Sequence, residues 1–224
     1  MNEYLESQYS ILDDDLAIDG LAQFGPMASF TWNTDPKRLL FVLARYKFAA
    51  KMLEGSGSVI EIGCGDAFAS RIVRQHVSEL LITDADPLMV EHAKKIQSKR
   101  FPVSVMCHNF SVEPLNAKPE KFDGAYLLDV LEHIPKDDEV FFLNNLKSSL
   151  RRGAKVVIGM PSIESQIYAS PGSKQGHVNC KTKEELFGLL EKIFATVYCF
   201  SMNDEMVHTG FNRMANYLFA VCAR

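Results

Sequence analysis

Of the six histidines in this 224-residue chain, three (His133, His177 and His208) fall in segments that follow predicted strands. Loops at strand ends are where an α/β protein places its reactive groups, and an imidazole exchanges a proton near neutral pH. His76 and His92 fall inside predicted helices and read as surface residues. A second group surrounds the run Val59-Ile60-Glu61-Ile62-Gly63-Cys64-Gly65-Asp66-Ala67. Glycine at 63 and 65 permits a tight turn and lets a ligand lie against bare backbone, although the same pattern also serves as an ordinary strand-to-helix connection. Its surroundings argue against a phosphate ligand. The third glycine of a dinucleotide fingerprint is replaced by Phe68, and Asp66 puts negative charge where a pyrophosphate would meet a helix N-terminus. Asp84 closes the next strand about 20 residues on, where a carboxylate accepts hydrogen bonds from ribose hydroxyls. Asp86 already caps the helix opened by Pro87, so Asp84 is free of that duty. After a third strand, Asn109 and Phe110 offer an amide for a purine edge and a ring for its face.

These residues need a frame, and the hydrophobic pattern supplies one. Asp35-Pro36 opens a helix with Asp35 as cap; Leu39, Val42, Leu43, Tyr46, Ala49, Ala50 and Leu53 recur at helical spacing before Gly55 and Gly57 end it. Strands follow at 59–62, 80–83, 103–107, 122–128 and 155–160, with helices between most of them at 69–76, from 86 and at 138–150. Alternation of this kind implies a parallel sheet covered on both faces. Thr182-Lys183-Glu184-Glu185 is a capping box for a helix reaching Phe194, and 196–201 and 217–222 read as two strands joined by a polar loop. The expected fold is therefore a doubly wound α/β sheet of seven strands, mostly parallel, ending in an antiparallel hairpin. Residues 1–34 lack clear periodicity and form an arm or lid, and 35–224 form one domain.

Composition limits the function. Hydrophobic residues at 47% and charged ones at 23% suit one packed core. The net charge of −4, with basic residues scattered or in short pairs, lacks the concentrated stripe that tracks a phosphate backbone, so no nucleic-acid partner is expected. Five cysteines without CxxC spacing suggest neither a disulfide framework nor a metal site. No apolar run approaches the roughly 18 residues of a membrane span, and the acidic start MNEYLESQYS is unlike a signal peptide, which points to the cytoplasm.

Taken together, VIEIGCGDA, LLITDADP, CHNF, FDGAYLLDVLEHIP and LRRGAKVVIGMP resemble the motifs of class I S-adenosylmethionine-dependent methyltransferases over about residues 45–161. The resemblance implies a Rossmann-like fold and S-adenosylmethionine as cofactor, with S-adenosylhomocysteine as product. It implies that Glu61, Gly63, Cys64 and Gly65 hold the methionine portion, Asp84 and Ala85 the ribose, and Asn109 and Phe110 the adenine, with Leu128 and Asp129 bordering the sulfonium and amino group. The chain departs from the family at Ala67, often glycine, and at Arg152-Gly153-Ala154, where Pro-Gly-Gly is common. It lacks the Asp/Asn-Pro-Pro-Tyr motif of enzymes acting on DNA amines. Leu-Glu-His instead is similar to small-molecule O-methyltransferases of the quinone-biosynthesis type, in which an arginine like Arg45 meets the cofactor carboxylate. A solvated or salt-bridged role for Arg45 is the alternative.

Substrate then belongs on the loops 129–135, 161–181 and 202–211. His133 is the expected acceptor-side base, against a plain backbone-bonded histidine. His177, His208 and Trp32 are expected on the substrate side, with Trp32 and Phe30 covering the site or simply anchoring the arm. The leading expectation is methyl transfer to an oxygen of a small molecule. The rivals are a non-catalytic cofactor-binding or partner protein, and a nucleotide-cofactor oxidoreductase or sugar-modifying enzyme on a similar sheet.

Overall fold

A computed structural model describes residues 4–116 and 122–224. In chain order the elements are α1 (Ile11–Asp19), α2 (Pro26–Thr34), α3 (Lys37–Leu53), β1 (Ser58–Ile62), α4 (Ser70–Arg74), β2 (Glu79–Asp84), α5 (Pro87–Lys95), β3 (Ser104–Cys107), β4 (Phe122–Leu128), α6 (Glu139–Ser149), β5 (Leu150–Pro161), α7 (Pro171–Gly176), α8 (Lys183–Leu190), β6 (Thr196–Asn203), β7 (Met206–His208) and β8 (Tyr217–Ala223). One sheet runs β3-β2-β1-β4-β5-β8-β6-β7. The first five strands are parallel, and β8 enters antiparallel between β5 and β6. The order reverses between β1 and β4, and in such sheets ligands gather beyond the carboxyl ends of the strands at that point.

The strand pattern follows from burial on both faces. In β1, Val59 joins the core beneath α3 and α4 while Ile60 and Ile62 join the core beneath α6 and α8. In β4, Tyr126 and Leu128 face the first core and Leu127 the second, the two-residue period of a pleated strand. Such strands read as continuous apolar runs because neither face meets water. Each fully buried Leu or Phe adds roughly 1.5–3 kcal/mol of transfer free energy.

Several details differ from expectation. The described residues hold eight strands rather than seven: β7 pairs with β6 alone at the sheet edge, inside the segment that reads as a polar loop. The helix after residue 34 begins at Lys37 with no side-chain cap, so Asp35 does not cap it. The capping box at Thr182 forms with Glu185 as anticipated, but its helix stops at Leu190 rather than Phe194. Asp86 caps α5 through the Leu88 N–H. Among the described residues before 35, a 3₁₀ turn at Ser7–Ser10 leads into α1, and α2 follows. Asp19 accepts bonds from Ser98 Oγ at 2.5 Å and Lys99 N at 2.7 Å, and Arg100 pairs with Asp15 at 2.7 Å. No helix among the described residues is long and apolar enough to cross a membrane.

Candidate functional site

β1 delivers the glycine turn to the centre of the sheet. The Gly63 and Cys64 N–H groups both donate to the Thr83 carbonyl, which ties the turn to β2. Gly63 and Gly65 have φ of 74° and 53°, in the left-handed region. A Cβ at 63 would run into Val130, and one at 65 would lie 2.7 Å from Met27 Sδ. Ala67 has φ 59°, a conformation that costs a non-glycine residue about 1–2 kcal/mol and that glycine would adopt freely.

Beneath the turn, Glu61 is 1% exposed and accepts from Tyr46 Oη at 2.7 Å and Tyr126 Oη at 2.6 Å. Burial pushes its carboxyl up, and the two phenols pull the other way. Glu61 was expected to touch a ligand. Its carboxylate is instead engaged inside the core, and Tyr46, which it holds, is the group that lines the cavity.

That cavity is about 160 Å³, bounded by Met27 and Ala28 of α2, Leu39 and Tyr46 of α3, the glycine turn, and Leu128 with Asp129. It is smaller than the roughly 300–1,000 Å³ of most small-molecule sites, so a longer ligand must continue along the open strand ends. A larger cavity of about 380 Å³ between the arm and α5, with Asp15, Asp19, Arg71, Lys95 and Arg100 in its wall, includes none of the glycine turn. Cys64 is buried, and burial pushes its thiol far above the usual range, so it is a wall rather than a nucleophile.

At the end of β2, Asp84 accepts from Gly65 N at 2.8 Å through Oδ2 and from Asp86 N at 2.9 Å through Oδ1. Each oxygen keeps a further lone pair for a ligand hydroxyl. Ala85 is exposed beside it, and Asn109 accepts from Ser111 N through Oδ1, leaving its Nδ2 free to donate. Phe110 differs from expectation. It is 1% exposed and packs near edge-on to Phe142 and His108, so its ring is core and presents no open face.

At the end of β4, Asp129 has φ 59° and accepts from Arg45 Nη1 at 3.0 and 2.8 Å. The Arg45 guanidinium also lies 3.9 Å over the Tyr217 ring, and its buried Nε has no partner. The salt-bridged alternative for Arg45 therefore describes this structure, with Asp129 where a ligand carboxylate was expected. The 3₁₀ turn Leu131–His133 follows. Glu132 is 0% exposed with both carboxylate oxygens unpartnered, and burial together with nearby Asp129 pushes its carboxyl well up. His133 is exposed, with Nδ1 2.9 Å from the Gly176 carbonyl. Its ring lies 5.3 Å from that of His177, whose Nδ1 is 2.8 Å from Gln166 Oε1.

Residues 44 positions apart meet because the segment after β5 is locked down. The Val178 and Asn179 N–H groups both donate to the Glu132 carbonyl at 2.9 Å. Asn179 Nδ2 donates to the Ile134 carbonyl and to Glu139, and buried Lys181 pairs with Glu139 at 2.7 Å. Within the 161–181 segment, Pro171 and Gly172 begin the short helix α7.

His208 and Trp32 stand apart from this group. His208 commits both ring nitrogens within its own hairpin, to Asn203 Oδ1 at 2.9 Å and Gly210 N at 3.0 Å. Trp32 is half exposed and packs on Phe24, which packs on Phe68, so this aromatic train anchors the arm. Glu132, Tyr46, Met27 and Gln166 also border these positions, although residue type and spacing do not single them out. The signal that the sequence carries for Glu132 is a carboxylate adjoining His133 just beyond the apolar run at 125–128.

Residues 60–156 match a family model described as a methyltransferase domain. Among solved structures, a SAM-dependent methyltransferase from Thermotoga maritima, described as a possible histamine N-methyltransferase, superposes with a TM-score of 0.65 at 19% identity over 88% of this chain and 96% of that one. DhpI in complex with SAH gives 0.63 at 15% over 87% and 90%. The N-methyltransferase NodS from Bradyrhizobium japonicum WM9, in complex with S-adenosylhomocysteine, gives 0.59 at 16% over 98% and 99%. No curated protein matches the sequence at a significant level. At these identities the solved structures establish the likeness of fold.

Proposed function

We propose that this chain, a class I S-adenosylmethionine-dependent methyltransferase, places its methyl group on a hydroxyl oxygen of a small molecule, in the cytoplasm. The observation that carries the oxygen assignment is the pair of imidazoles, His133 and His177, beside buried Glu132, three residues beyond an aspartate that borders the glycine cavity. A hydroxyl is a weak nucleophile until it loses its proton, and these are groups suited to removing it near neutral pH.

The residues at the turn fit the cofactor. Backbone without side chains at Gly63 and Gly65, beside an apolar cavity, suits the methionine portion. Asp84, with its spare lone pairs and neighbouring Ala85, takes the ribose, and the Asn109 amide borders the adenine. When bound, the cofactor supplies an electrophilic methyl on a sulfonium. Leu128 and Asp129 wall that end of the site, while Arg45 holds Asp129 in position. Methyl transfer is an in-line displacement, so orientation and exclusion of water contribute most, up to about 7–11 kcal/mol in favourable cases. Residues 1–34 act as an arm whose α2 closes one side of the cavity over the domain formed by 35–224. His133 takes part in removing the acceptor proton, and His177 faces the acceptor.

The test is turnover with methyl-labelled cofactor against matched sets of phenols, aliphatic alcohols and amines, with products identified by mass spectrometry. Methyl ethers are expected. Methylamines alone would move the acceptor to nitrogen, as the names of two structural neighbours describe those proteins. Tight S-adenosylhomocysteine binding without any product would favour a non-catalytic cofactor-binding protein.

A further inference from the structure

We propose that Glu132, His133 and His177 form a site for one divalent transition-metal ion, of the zinc, manganese or ferrous type, at the acceptor end of the cleft. One ligand atom from each residue lies within 4.8 Å of the other two. With metal–nitrogen and metal–oxygen bonds near 2.0–2.2 Å, ligands around a tetrahedral ion stand about 3.3–3.6 Å apart, so side-chain adjustments of up to about 1.5 Å complete the set.

Three further features point to an ion. Both Glu132 oxygens are buried without a partner, and a carboxylate left in that condition is costly unless a cation meets it. The nearby cations are engaged elsewhere: Arg45 with Asp129, and Lys181 with Glu139 and Asn179. Each histidine has its Nδ1 against an oxygen acceptor, the Gly176 carbonyl for His133 and the Gln166 amide for His177. Those bonds fix the Nδ1–H tautomer and leave the Nε2 lone pair as donor, the arrangement found behind metal-bound histidines. The loop carrying His177 is docked through the Glu132 carbonyl itself, so the ligand set is held before any ion arrives.

Two imidazoles and one carboxylate suit a borderline transition ion better than calcium or magnesium, which prefer all-oxygen sets. Three protein ligands leave at least one position open. Given the hydroxyl acceptor proposed above, on which this part rests, that position receives the acceptor oxygen, lowers its proton affinity and lets the proton pass to solvent. His133 then acts as a ligand of the ion rather than as a free base.

The experiment uses the full, untagged, metal-stripped chain titrated with Co²⁺, read by visible absorption, and with Zn²⁺ by calorimetry. One saturable site per chain is expected. His177→Ala and Glu132→Gln should each weaken it at least 10-fold, and Gln166→Leu, which removes no ligand, by about 10–100-fold. No saturable binding to the wild type, or equal binding by His177→Ala, would overturn the site. S-adenosylhomocysteine calorimetry on the same samples separates the two proposals. A chain that binds the cofactor but takes up no metal sinks the metal site alone, and failure to bind the cofactor sinks the methyl-transfer reading. Turnover indifferent to a chelator would overturn the role in acceptor activation.

Discussion

Asp84 holds two backbone donors, which gives its carboxylate one orientation and two remaining acceptor positions. If ribose hydroxyls occupy those positions, Asp84→Ala should cost roughly 1–3 kcal/mol of S-adenosylhomocysteine affinity, read by calorimetry. Asp84→Asn is the sharper variant. It keeps one oxygen for Gly65 N, so the melting temperature should hold better than in the alanine variant while affinity still falls. Unchanged affinity in both would remove Asp84 from the site. Glu61 supports a prediction of a different kind. Tyr46 from α3 and Tyr126 from β4 face it, with Asp84 and Cys64 nearby, and burial raises its pKa in the folded state. A raised carboxyl adds stability that is fully present below the ordinary glutamate value and is lost as pH rises through the folded value. Wild-type melting temperature should therefore fall relative to Glu61→Gln as pH increases from about 4.5 upward, and a pH-independent difference would contradict this. Of these residues, Asp84 was legible because strand-end position and spacing are local properties. The inward engagement of Glu61 and the burial of Phe110 were not, since both depend on which neighbouring strand or helix covers them.

At the level of elements, the alternation of apolar strands with amphipathic helices between residues 58 and 160 was readable because the central strands β1, β2 and β4 are buried on both faces, whereas the edge strand β3 is mostly exposed. The elements that escaped lack that signal. α1 buries no residue and α2 buries Ala28 alone, so neither shows a core-facing stripe, and β7 has three residues. α2 is nevertheless placed with care. Its Ala28 N–H donates to Asp66 Oδ2 at 2.8 Å, so a carboxylate from the glycine turn caps the helix from outside, and Gly25 has no Cβ to obstruct the approach. This also accounts for Asp66 at a position where a phosphate-binding turn would avoid charge. Asp66→Ala should free the start of α2 at a cost of about 0.5–2 kcal/mol. Hydrogen exchange should accelerate in residues 26–34 and stay unchanged in β1 and β4. Protection of α2 equal to wild type would mean that its aromatic contacts, Phe24 on Phe68 and Trp32 on Phe24, suffice to hold it.

Across the whole molecule, the corner around Asp129, Glu132 and His133 joins three stretches distant in sequence: α3 through Arg45, the exit of β4, and the segment after β5. Sequence spacing indicated each loop separately, because the parallel sheet sends all of them to one edge. It did not indicate that Lys181, Asn179 and Glu139 would pin one loop on the other, since a buried ion pair reads in sequence like any surface charges. The arm is joined differently. Ala28 is the one buried hydrophobic side chain that residues 4–34 contribute, whereas both cores are built from residue 39 onward. Yet Met27, Ala28 and Thr31 line the 160 Å³ cavity. Those two facts predict separable effects for a chain beginning at Asp35. It should unfold cooperatively near the wild-type temperature, because the burial that dominates stability is intact. Its affinity for S-adenosylhomocysteine should fall roughly tenfold, about 1.4 kcal/mol, because one wall of the cavity becomes open water. Stopped-flow release should carry most of that change, since removing a cover speeds departure more than it slows encounter. A shortened chain that binds as tightly as the full one would show that α2 packs beside the cofactor without covering it, and one that no longer unfolds cooperatively would make the arm part of the fold.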